Sequence, residues 1–447
     1  MNKLSSLIAK AKNNPDYAGA ILTGYVSMGL QIVIQILLVP LYLNTLGSYR
    51  FGALMILSAQ IAFGYLFVGF FYSVLLRRLS ESLSAGDTAE FSRVYVAGKM
   101  ILLAIGALFG FIVLGVETWH PVFFEDVPSD MQSEIWWATV LAVVHFFLMC
   151  EVSVEQTLFS AIQRQVSANL SALIGLIAFA VAVIPWLLSG GGLAGVMGCF
   201  LLGDVLSRLY AIISLRRAKL KIRLSALTTG FGATCRQLLS GRAIPYFAYA
   251  LVAMVLQSDV LIIGMLTGAD VTAQFVLVWK IADVVVLVIS RMTIHLQPEF
   301  LAMDVNDDRE RLRRVYHEAY WWLLLLSAII ALGYALTGPW IMQLWVGAER
   351  APKDPWLYWL AGSAILWLGA SRLPSVLAQS LSRMRGLLCI ATVEMTAKLG
   401  LILVLFPLVN IRASLIAISV VHGLGIAFAY WWLGRSLVAV GGRAKPA

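Results

Sequence analysis

The stretch of sequence that decides the fold is WLYWLAGSAILWLGASRLPSVL, residues 356–377. A helix of about 20 apolar residues can cross the hydrocarbon core of a bilayer. This run is long enough, yet it carries Arg372 near its end. Charge in hydrocarbon is costly, so such a residue faces a bundle interior or a water-filled cavity. Eleven Asp, Glu, Lys and Arg residues lie well inside runs of this kind, which favours a protein that moves a polar solute over one that only anchors something.

The composition of the whole chain indicates a membrane protein. Of its 447 residues, 60% are hydrophobic and 13% are charged, and the mean hydropathy is +0.85. The apolar runs are continuous over about 20 residues, whereas the strands of a membrane β-barrel alternate over about 10. We therefore predict an all-α membrane protein with about 12 transmembrane helices, at 20–43, 51–76, 98–116, 135–160, 167–189, 193–215, 244–266, 272–295, 319–337, 356–379, 387–407 and 413–434.

The distribution of Lys and Arg predicts the orientation of these spans. If both termini are cytoplasmic, the inner segments carry 24 of the 33 basic residues, and the outer loops carry only Arg50, Arg350, Lys353 and Arg412. An excess of basic residues in cytoplasmic loops is the positive-inside signature. The net charge of +9 then follows from topology, and we expect no nucleic-acid partner.

The sequence gives no sign of an enzyme, a cofactor or a metal. It lacks the phosphate-loop, nucleophile-elbow, zinc-protease and dinucleotide-binding motifs. Its four cysteines fall in spans or on the inner side, so no disulfide framework is expected. His145, His295 and His422 have no second ligand at convincing metal spacing, and we expect them to be hydrogen-bonded or interfacial.

An offset of 221 residues relates the two halves of the chain. It aligns Gly47 with Gly268 and Trp119 with Trp340. Because six spans fit into this offset, both halves keep the same orientation, with a pseudo-two-fold axis along the membrane normal. We predict an amphipathic cytoplasmic N-terminus at 1–19, a six-helix lobe at 20–215, a basic linker at 216–242, a second six-helix lobe at 243–434 and a cytoplasmic tail at 435–447.

Span 4 carries two carboxylates in its inner half. Glu151 and Glu155 are one turn apart and therefore share one helix face. The offset aligns Glu151 with Arg372, so we predict that the two lie at equal depth, face the axis between the lobes and can pair across it. The alternative is that Arg372 pairs within its own lobe and only braces helices. Pro374 loosens the helix beside Arg372 and favours a cavity wall.

Spans 7 and 8 carry a mixed stripe of charge. Lys280 and Asp283 are three residues apart on span 8, and Asp259 lies in the outer half of span 7. Lys280 and Asp283 are candidate functional residues or a structural ion pair. Arg291 lies near the cytoplasmic end of span 8, where a long side chain can instead reach the lipid headgroups.

Two further acid–base pairs have a spacing of four residues. Asp204 and Arg208 lie in span 6, and Glu394 and Lys398 lie in span 11. Such spacing is typical of an ion pair within one helix that makes a polar face tolerable. We expect both pairs to be mainly structural.

Two segments carry a resemblance to a known family. QIVIQILLVPLYLNTLGSYRFG, residues 31–52, resembles the polysaccharide transporters known as O-antigen flippases, and QSDVLIIG, residues 257–264, is similar to their second-half counterpart. The Leu-Gly-x-x-x-Phe-Gly turn at 46–52 is shared with the larger superfamily that also holds multidrug exporters and the lipid II flippase. Twelve spans agree with the O-antigen branch, since lipid II flippases usually have two more. The resemblance covers the architecture of the chain and is motif-specific at the first and seventh spans.

The resemblance implies a MATE-like fold and a transporter that flips undecaprenyl-diphosphate-linked oligosaccharide across the bacterial inner membrane by alternating access. Implied partners are the lipid-linked oligosaccharide, membrane lipids, H⁺ or Na⁺, a glycan polymerase and chain-length proteins. A diphosphate needs cationic contacts in a low-dielectric interior. On that physical ground the candidate substrate-binding residues are Arg372, Lys280, Arg291 and Arg208, and the candidate ion-coupling carboxylates are Glu151, Glu155, Asp259 and Asp283.

Three other classes remain as alternatives. A multidrug or toxin exporter on the same scaffold predicts an acid-dominated cavity, and the first lobe carries a formal −2 within its spans while the second carries +1. A glycan polymerase or ligase would be expected to expose a large outer loop with basic residues, and the loop at 117–134 has no Lys or Arg. An inert scaffold does not explain the charges within the spans.

Overall fold

The computed structural model is helical wherever it describes regular secondary structure. It describes residues 15–119, 123–124, 127–217, 230–240, 243–294, 296–305, 307–381 and 383–439. Within these ranges the helices are α1 (Pro15–Thr45), α2 (Gly47–Ser84), α3 (Thr88–Trp119), α4 (Gln132–Ala161), α5 (Gln165–Leu188), α6 (Leu193–Arg217), α7 (Phe231–Leu239), α8 (Ala243–Leu256), α9 (Asp259–Thr267), α10 (Ala269–Ile294), α11 (Gln297–Val305), α12 (Arg309–Val346), α13 (Pro355–Ser380), α14 (Met384–Val409), α15 (Arg412–Val421), a π turn (His422–Ile426) and α16 (Ala427–Ala439).

The helices are those of a multi-pass membrane protein. In the described ranges, eleven spans are long and apolar enough to cross a membrane, and the bent pair of α8 and α9 makes a twelfth. The prediction of an all-α protein with about twelve spans is therefore confirmed. Residues 1–14 of the predicted amphipathic N-terminus, 218–229 of the linker and 440–447 of the tail lie outside the described residues.

Several helices are longer than the apolar runs that predicted them. The run predicted at 51–76 becomes α2, which continues to Ser84, and α12 begins at Arg309, ten residues before the run at 319–337. A hydropathy window detects only the segment that suits lipid, whereas backbone hydrogen bonding carries the helix on into polar sequence. The nine-residue helices α7 and α11 were not predicted for the same reason.

The chain forms two compact units, residues 1–247 and 248–447. The division falls inside α8, five residues beyond the linker boundary at 242 that the sequence suggested. In unit 1 the central helix is α4, which packs against α2, α3, α5 and α6. In unit 2 the central helix is α13, which packs against α10, α12, α15 and α16.

Small residues allow the closest helix contacts in unit 1. A Cβ atom on Gly203 of α6 would lie 2.6 Å from the carbonyl oxygen of Gly175 of α5. The hydroxyl groups of Ser171 and Ser207 are hydrogen-bonded at 2.8 Å beside this contact. Small residues let membrane helices approach closely, and a serine pair adds a polar contact without charge. Helices α5 and α6 are therefore closely packed in unit 1.

Helix bounds in the two units repeat at the predicted offset of 221. Thr88 begins α3 and Arg309 begins α12, while α5 ends at Leu188 and α14 at Val409. The turns after spans 1 and 7 also match, because Gly47 has φ +81° and Gly268 has φ +77°. Glycine adopts this left-handed conformation without the steric cost other residues carry. The repeat noticed in the sequence thus corresponds to helix boundaries and to one kind of turn.

Two spans of unit 2 are interrupted where their counterparts in unit 1 are continuous. Helix α1 runs unbroken over Pro15–Thr45, whereas α8 and α9 meet at a 47° bend between Leu256 and Asp259. The last span contains the π turn at 422–426, with Gly425 at φ +150°, while α6 is regular through the equivalent residues 201–205. Both interruptions adjoin buried polar side chains.

Candidate functional site

Unit 1 contains a buried cluster of four charged side chains, here called the glutamate cluster. Its members are Lys99 of α3, Glu151 and Glu155 of α4, and Arg208 of α6. The Lys99 Nζ lies 3.3 Å from Glu151 Oε1 and 3.5 Å from Glu155 Oε1. The Arg208 guanidinium pairs with the second oxygen of Glu151. The side chains of Glu151 and Glu155 are only 8% and 3% exposed, so the cations replace water as their partners.

The glutamate cluster corrects one expectation from the sequence. Arg208 does not pair with Asp204 on its own helix but with Glu151 on α4. Glu151 has Arg208 and Lys99 of its own unit as partners, and its pairing with Arg372 stays a prediction. Lys99 was missed as a member, because it lies at the edge of its span and was counted with the inner basic residues.

Asp204 instead pairs with His145. The His145 Nδ1 contacts the Asp204 carboxylate directly, in a helix-to-helix contact between α4 and α6. His145 is therefore hydrogen-bonded, as expected from the sequence. Asp204 also lines a pocket of about 210 Å³ within unit 1, which includes Tyr65, Met149, Phe179, Phe200 and Gly203 in its lining. The rings of Phe179 and Phe200 stack there with centroids 3.9 Å apart.

Unit 2 contains a different buried arrangement, here called the aspartate–lysine bridge. At the bend between α8 and α9, the Lys398 ammonium of α14 donates to Asp259 Oδ2 at 2.7 Å and to the carbonyl oxygen of Leu256 at 2.6 Å. The Ser414 hydroxyl donates to the other Asp259 oxygen. The side chains of Lys398 and Asp259 are 5% and 6% exposed. Lys398 therefore satisfies both a buried carboxylate and a carbonyl released by the bend.

The aspartate–lysine bridge contradicts the second intrahelical pair predicted from the sequence. Glu394 and Lys398 are one turn apart, but Lys398 is bonded to Asp259 and Glu394 has other partners. The Tyr430 hydroxyl donates to Glu394 Oε2 at 2.9 Å, and His422 Nε2 lies 3.4 Å from Glu394 Oε1. In both spans where the sequence suggested local neutralisation, the charges connect separate helices.

Two further cations within the spans of unit 2, Arg372 and Lys280, are not neutralised in this way. Among the described residues of unit 2, no carboxylate lies within 4.0 Å of Arg372 or Lys280. Both side chains are half-buried, and Asp283 is exposed. The predicted Lys280–Asp283 contact is thus electrostatic and not a direct ion pair. Arg291 lies on α10, but its side chain is outside the described part of the chain.

Lys280 and Arg372 occupy different levels of unit 2. Ile289 of α10 lies at the level of Gly369 of α13, because a Cβ on Gly369 would be 3.5 Å from Ile289 Cδ1. Lys280 precedes Ile289 by nine residues and Arg372 follows Gly369 by three. With a rise of about 1.5 Å per residue, the two cations are more than about 10 Å apart along the helices. The two cations therefore do not form one compact site.

The N-terminal ends of the central helices are braced by acids in both units. Glu134 at the start of α4 pairs with Arg50 at 2.9 Å and accepts from the Leu193 backbone N–H at the start of α6. In unit 2, Asp354 caps α13 and pairs with Arg412 at the start of α15. These braces tie the fourth span of each unit to its sixth.

Metal-binding chemistry is not supported by the described residues. No group of three or more His, Cys, Asp or Glu side chains there is arranged to hold an ion. Cys150, Cys199, Cys235 and Cys389 are all free thiols.

Comparison with known proteins identifies the fold. No family model matches the sequence, and no curated protein matches it. An inward-facing multidrug resistance MATE family transporter of the MOP superfamily is 14% identical, with a TM-score of 0.76 over 91% of this chain and 94% of that one. A MATE in complex with MaL6 is 15% identical, with a TM-score of 0.69 over 95% and 97%. A MOP superfamily transporter from Pyrococcus furiosus, described as having a binding pocket of reverse polarity, is 15% identical, with a TM-score of 0.66 over 95% and 96%. The chain has a MATE-like fold.

Proposed function

We propose that this protein is a membrane transporter that flips undecaprenyl-diphosphate-linked oligosaccharide across the bacterial inner membrane by alternating access. The observation that carries the proposal is the charge balance of the spans. Buried carboxylates of unit 1 have cationic partners, whereas Arg372 and Lys280 of unit 2 have no carboxylate within 4.0 Å among the described residues of that unit. Cations held in a span without counter-charge are suited to an anionic cargo.

Arg372 is the strongest candidate contact for the diphosphate. A guanidinium can bind phosphate oxygens through two parallel hydrogen bonds, and it stays charged in a poorly hydrated setting. Lys280, at another level of unit 2, offers a second contact along the path. Arg208 is a weaker candidate than the sequence implied, because Glu151 already occupies its guanidinium.

The fold supports transport as the class of activity. All three transporters named above share it over most of their length. One of them is described by a reversed pocket polarity that suggests a different function. An uncompensated arginine within a span extends the same idea to this chain, in which the cargo is an anion. The lipid tail of such a cargo can remain in the bilayer while the charged headgroup crosses.

A second candidate function is export of organic cations. It is favoured by the pocket of unit 1, where Asp204 lies beside the stacked rings of Phe179 and Phe200. Aromatic faces and a carboxylate suit a flat cationic molecule. Against it, the Asp204 carboxylate is already engaged by His145.

The two candidates are separated by purified protein in proteoliposomes. One preparation carries a fluorescent undecaprenyl-diphosphate oligosaccharide, whose movement is followed by its accessibility to a membrane-impermeant quencher. A matched preparation carries a fluorescent organic cation. The proposal expects protein-dependent movement of the lipid-linked sugar and none of the cation. The reverse result would establish the exporter and reject the flippase.

Cellular context follows from the same proposal. The protein would lie in the inner membrane with both termini cytoplasmic, and it would work with a glycan polymerase and chain-length proteins at the outer face. A deletion strain would then accumulate lipid-linked repeat units on the cytoplasmic side. Unchanged surface glycan in that strain would contradict this placement.

A further inference from the structure

Unit 2 contains a buried titratable pair, Glu394 and His422, that has no role in the proposed contacts with the diphosphate. Glu394 of α14 is 6% exposed, and His422, the first residue of the π turn, is 2% exposed. His422 Nε2 and Glu394 Oε1 are 3.4 Å apart, and this nitrogen has no hydrogen-bond partner. An unpartnered buried nitrogen facing a carboxylate is costly unless a proton is shared between them.

The other ring nitrogen fixes where that proton must go. His422 Nδ1 lies 3.0 Å from the carbonyl oxygen of Ile418. A carbonyl oxygen only accepts, so Nδ1 carries a hydrogen and donates it. In a neutral imidazole, Nε2 is then an acceptor. If Glu394 were ionised, its carboxylate oxygen and His422 Nε2 would both be hydrogen-bond acceptors, and the two would face each other inside the bundle.

We propose that Glu394 and His422 form a proton-binding site of unit 2, in which the Glu394 carboxyl takes up one proton from water, keeps it, and donates a hydrogen bond through it to His422 Nε2. The proton-bound form is a neutral acid hydrogen-bonded to a neutral imidazole. A buried site favours such a pair over separated charges, because neither group must be desolvated in its ionised form. The Tyr430 hydroxyl, which donates to the other carboxyl oxygen, holds Glu394 in place in both states.

The charges around this site link it to Arg372. Tyr249 and Tyr430 each lie within electrostatic range of both Arg372 and Glu394. Lys398 is one turn from Glu394 and near His422, but its ammonium is bonded to Asp259. Arg372 therefore lies in the same neighbourhood as Glu394 and, among the described residues of unit 2, is not bonded to another carboxylate.

This arrangement couples proton binding to anion binding, a consequence that rests on the proposed function. When a diphosphate takes the charge of Arg372, Glu394 loses its compensating cation and binds a proton more tightly. By thermodynamic reciprocity, protonation of Glu394 frees Arg372 and raises its affinity for the diphosphate. Unit 1 has no equivalent site, because the offset of 221 places Leu173 and Leu201 at these positions.

The proton site is tested by infrared difference spectroscopy on the full-length protein in lipid nanodiscs. We expect a carboxylic-acid carbonyl band that appears as the pH is lowered. Glu394→Gln, which keeps an acceptor for Tyr430, removes this band. His422→Phe removes the acceptor of the proton and lowers the titration midpoint by at least about 1 pH unit, the size expected for one buried hydrogen bond. Glu155→Gln, a buried glutamate of unit 1, leaves the band in place.

Linkage is tested in the same samples by adding undecaprenyl diphosphate near the titration midpoint. The band should grow in the wild type and not in Arg372→Ala. Persistence of the band in Glu394→Gln overturns the proton site, and if that variant does not fold, an unshifted midpoint in His422→Phe overturns it. If the band responds to pH as expected but does not grow when undecaprenyl diphosphate is added, the proton site stands and its linkage to anion binding is rejected.

Discussion

Unit 1 and unit 2 have helices at equivalent positions of the repeat, but their charged residues lie at different positions. At the offset of 221, helix bounds and the Gly47 and Gly268 turns coincide. The polar residues that define each unit have no polar equivalent of the same kind in the other. Lys99 corresponds to Tyr320, Glu151 to Arg372, Glu155 to Val376, Arg208 to Ala429, Asp259 to Leu38, Lys398 to Ile177 and Glu394 to Leu173.

The difference separates what the fold requires from what the chemistry requires. Apolar faces, close helix contacts and left-handed glycine turns recur because both units must bury the same kind of surface. The charges are free to differ because each buried cluster needs only local compensation. In unit 1 two cations face the two carboxylates of the glutamate cluster, whereas unit 2 leaves Arg372 without a carboxylate within 4.0 Å among its described residues.

The largest effect is expected where unit 2 departs furthest from unit 1, at the bend beside Asp259. Asp259→Ala leaves the Lys398 ammonium buried with one carbonyl partner, and breaking such a pair costs about 3–5 kcal/mol. Asp259→Leu combined with Lys398→Met replaces both charges by apolar groups, as at Leu38 in unit 1, and should recover much of the loss. Thermal unfolding in a membrane mimetic measures both variants. Equal destabilisation by the single and double variants would show that the charges do not compensate each other.

A smaller effect is expected in the glutamate cluster. Arg208→Ala removes one of two cations from Glu151, at a cost of about 1–3 kcal/mol for an unsatisfied buried carboxylate. Adding Glu151→Gln restores the charge balance of the cluster, because Lys99 is then paired with one carboxylate, that of Glu155. A double-mutant cycle on the free energy of unfolding should show coupling between Arg208 and Glu151. Additive effects would mean that this ion pair contributes nothing to unit 1.

The smallest effect is expected where the units agree, at the braces of Glu134 and Asp354. Glu134→Gln in unit 1 and Asp354→Asn in unit 2 weaken partly exposed ion pairs, which typically contribute about 0.2–1 kcal/mol. Both variants should shift the unfolding midpoint slightly and by similar amounts, and 1 M salt should reduce each shift because it screens exposed charges. A large loss of stability in only one unit would show that the two braces are not equivalent.

The sequence predicted the fold better than the site. Hydropathy located every span because each crosses a similar thickness of lipid, and the repeat placed Gly47 and Gly268 at equivalent turns. It did not predict the bend at Asp259 or the π turn at His422, since a hydropathy window measures length and not continuity. The polar partners were harder still. Spacing along one helix suggested that Lys398 would pair with Glu394, but tertiary packing joined it to Asp259.

The most direct test of the central claim is the rate at which Arg372 variants move a fluorescent undecaprenyl-diphosphate oligosaccharide in proteoliposomes. Arg372→Ala should lower the rate at least about tenfold, equivalent to about 1.4 kcal/mol of lost binding in the path. Arg372→Lys should recover only part of it, because lysine cannot make the two-point contact. The matched control is Arg385→Ala, an exposed arginine in the first turn of α14, which should transport at the wild-type rate. Wild-type transport by Arg372→Ala at equal protein level would contradict the assignment of unit 2 as the anion-binding half.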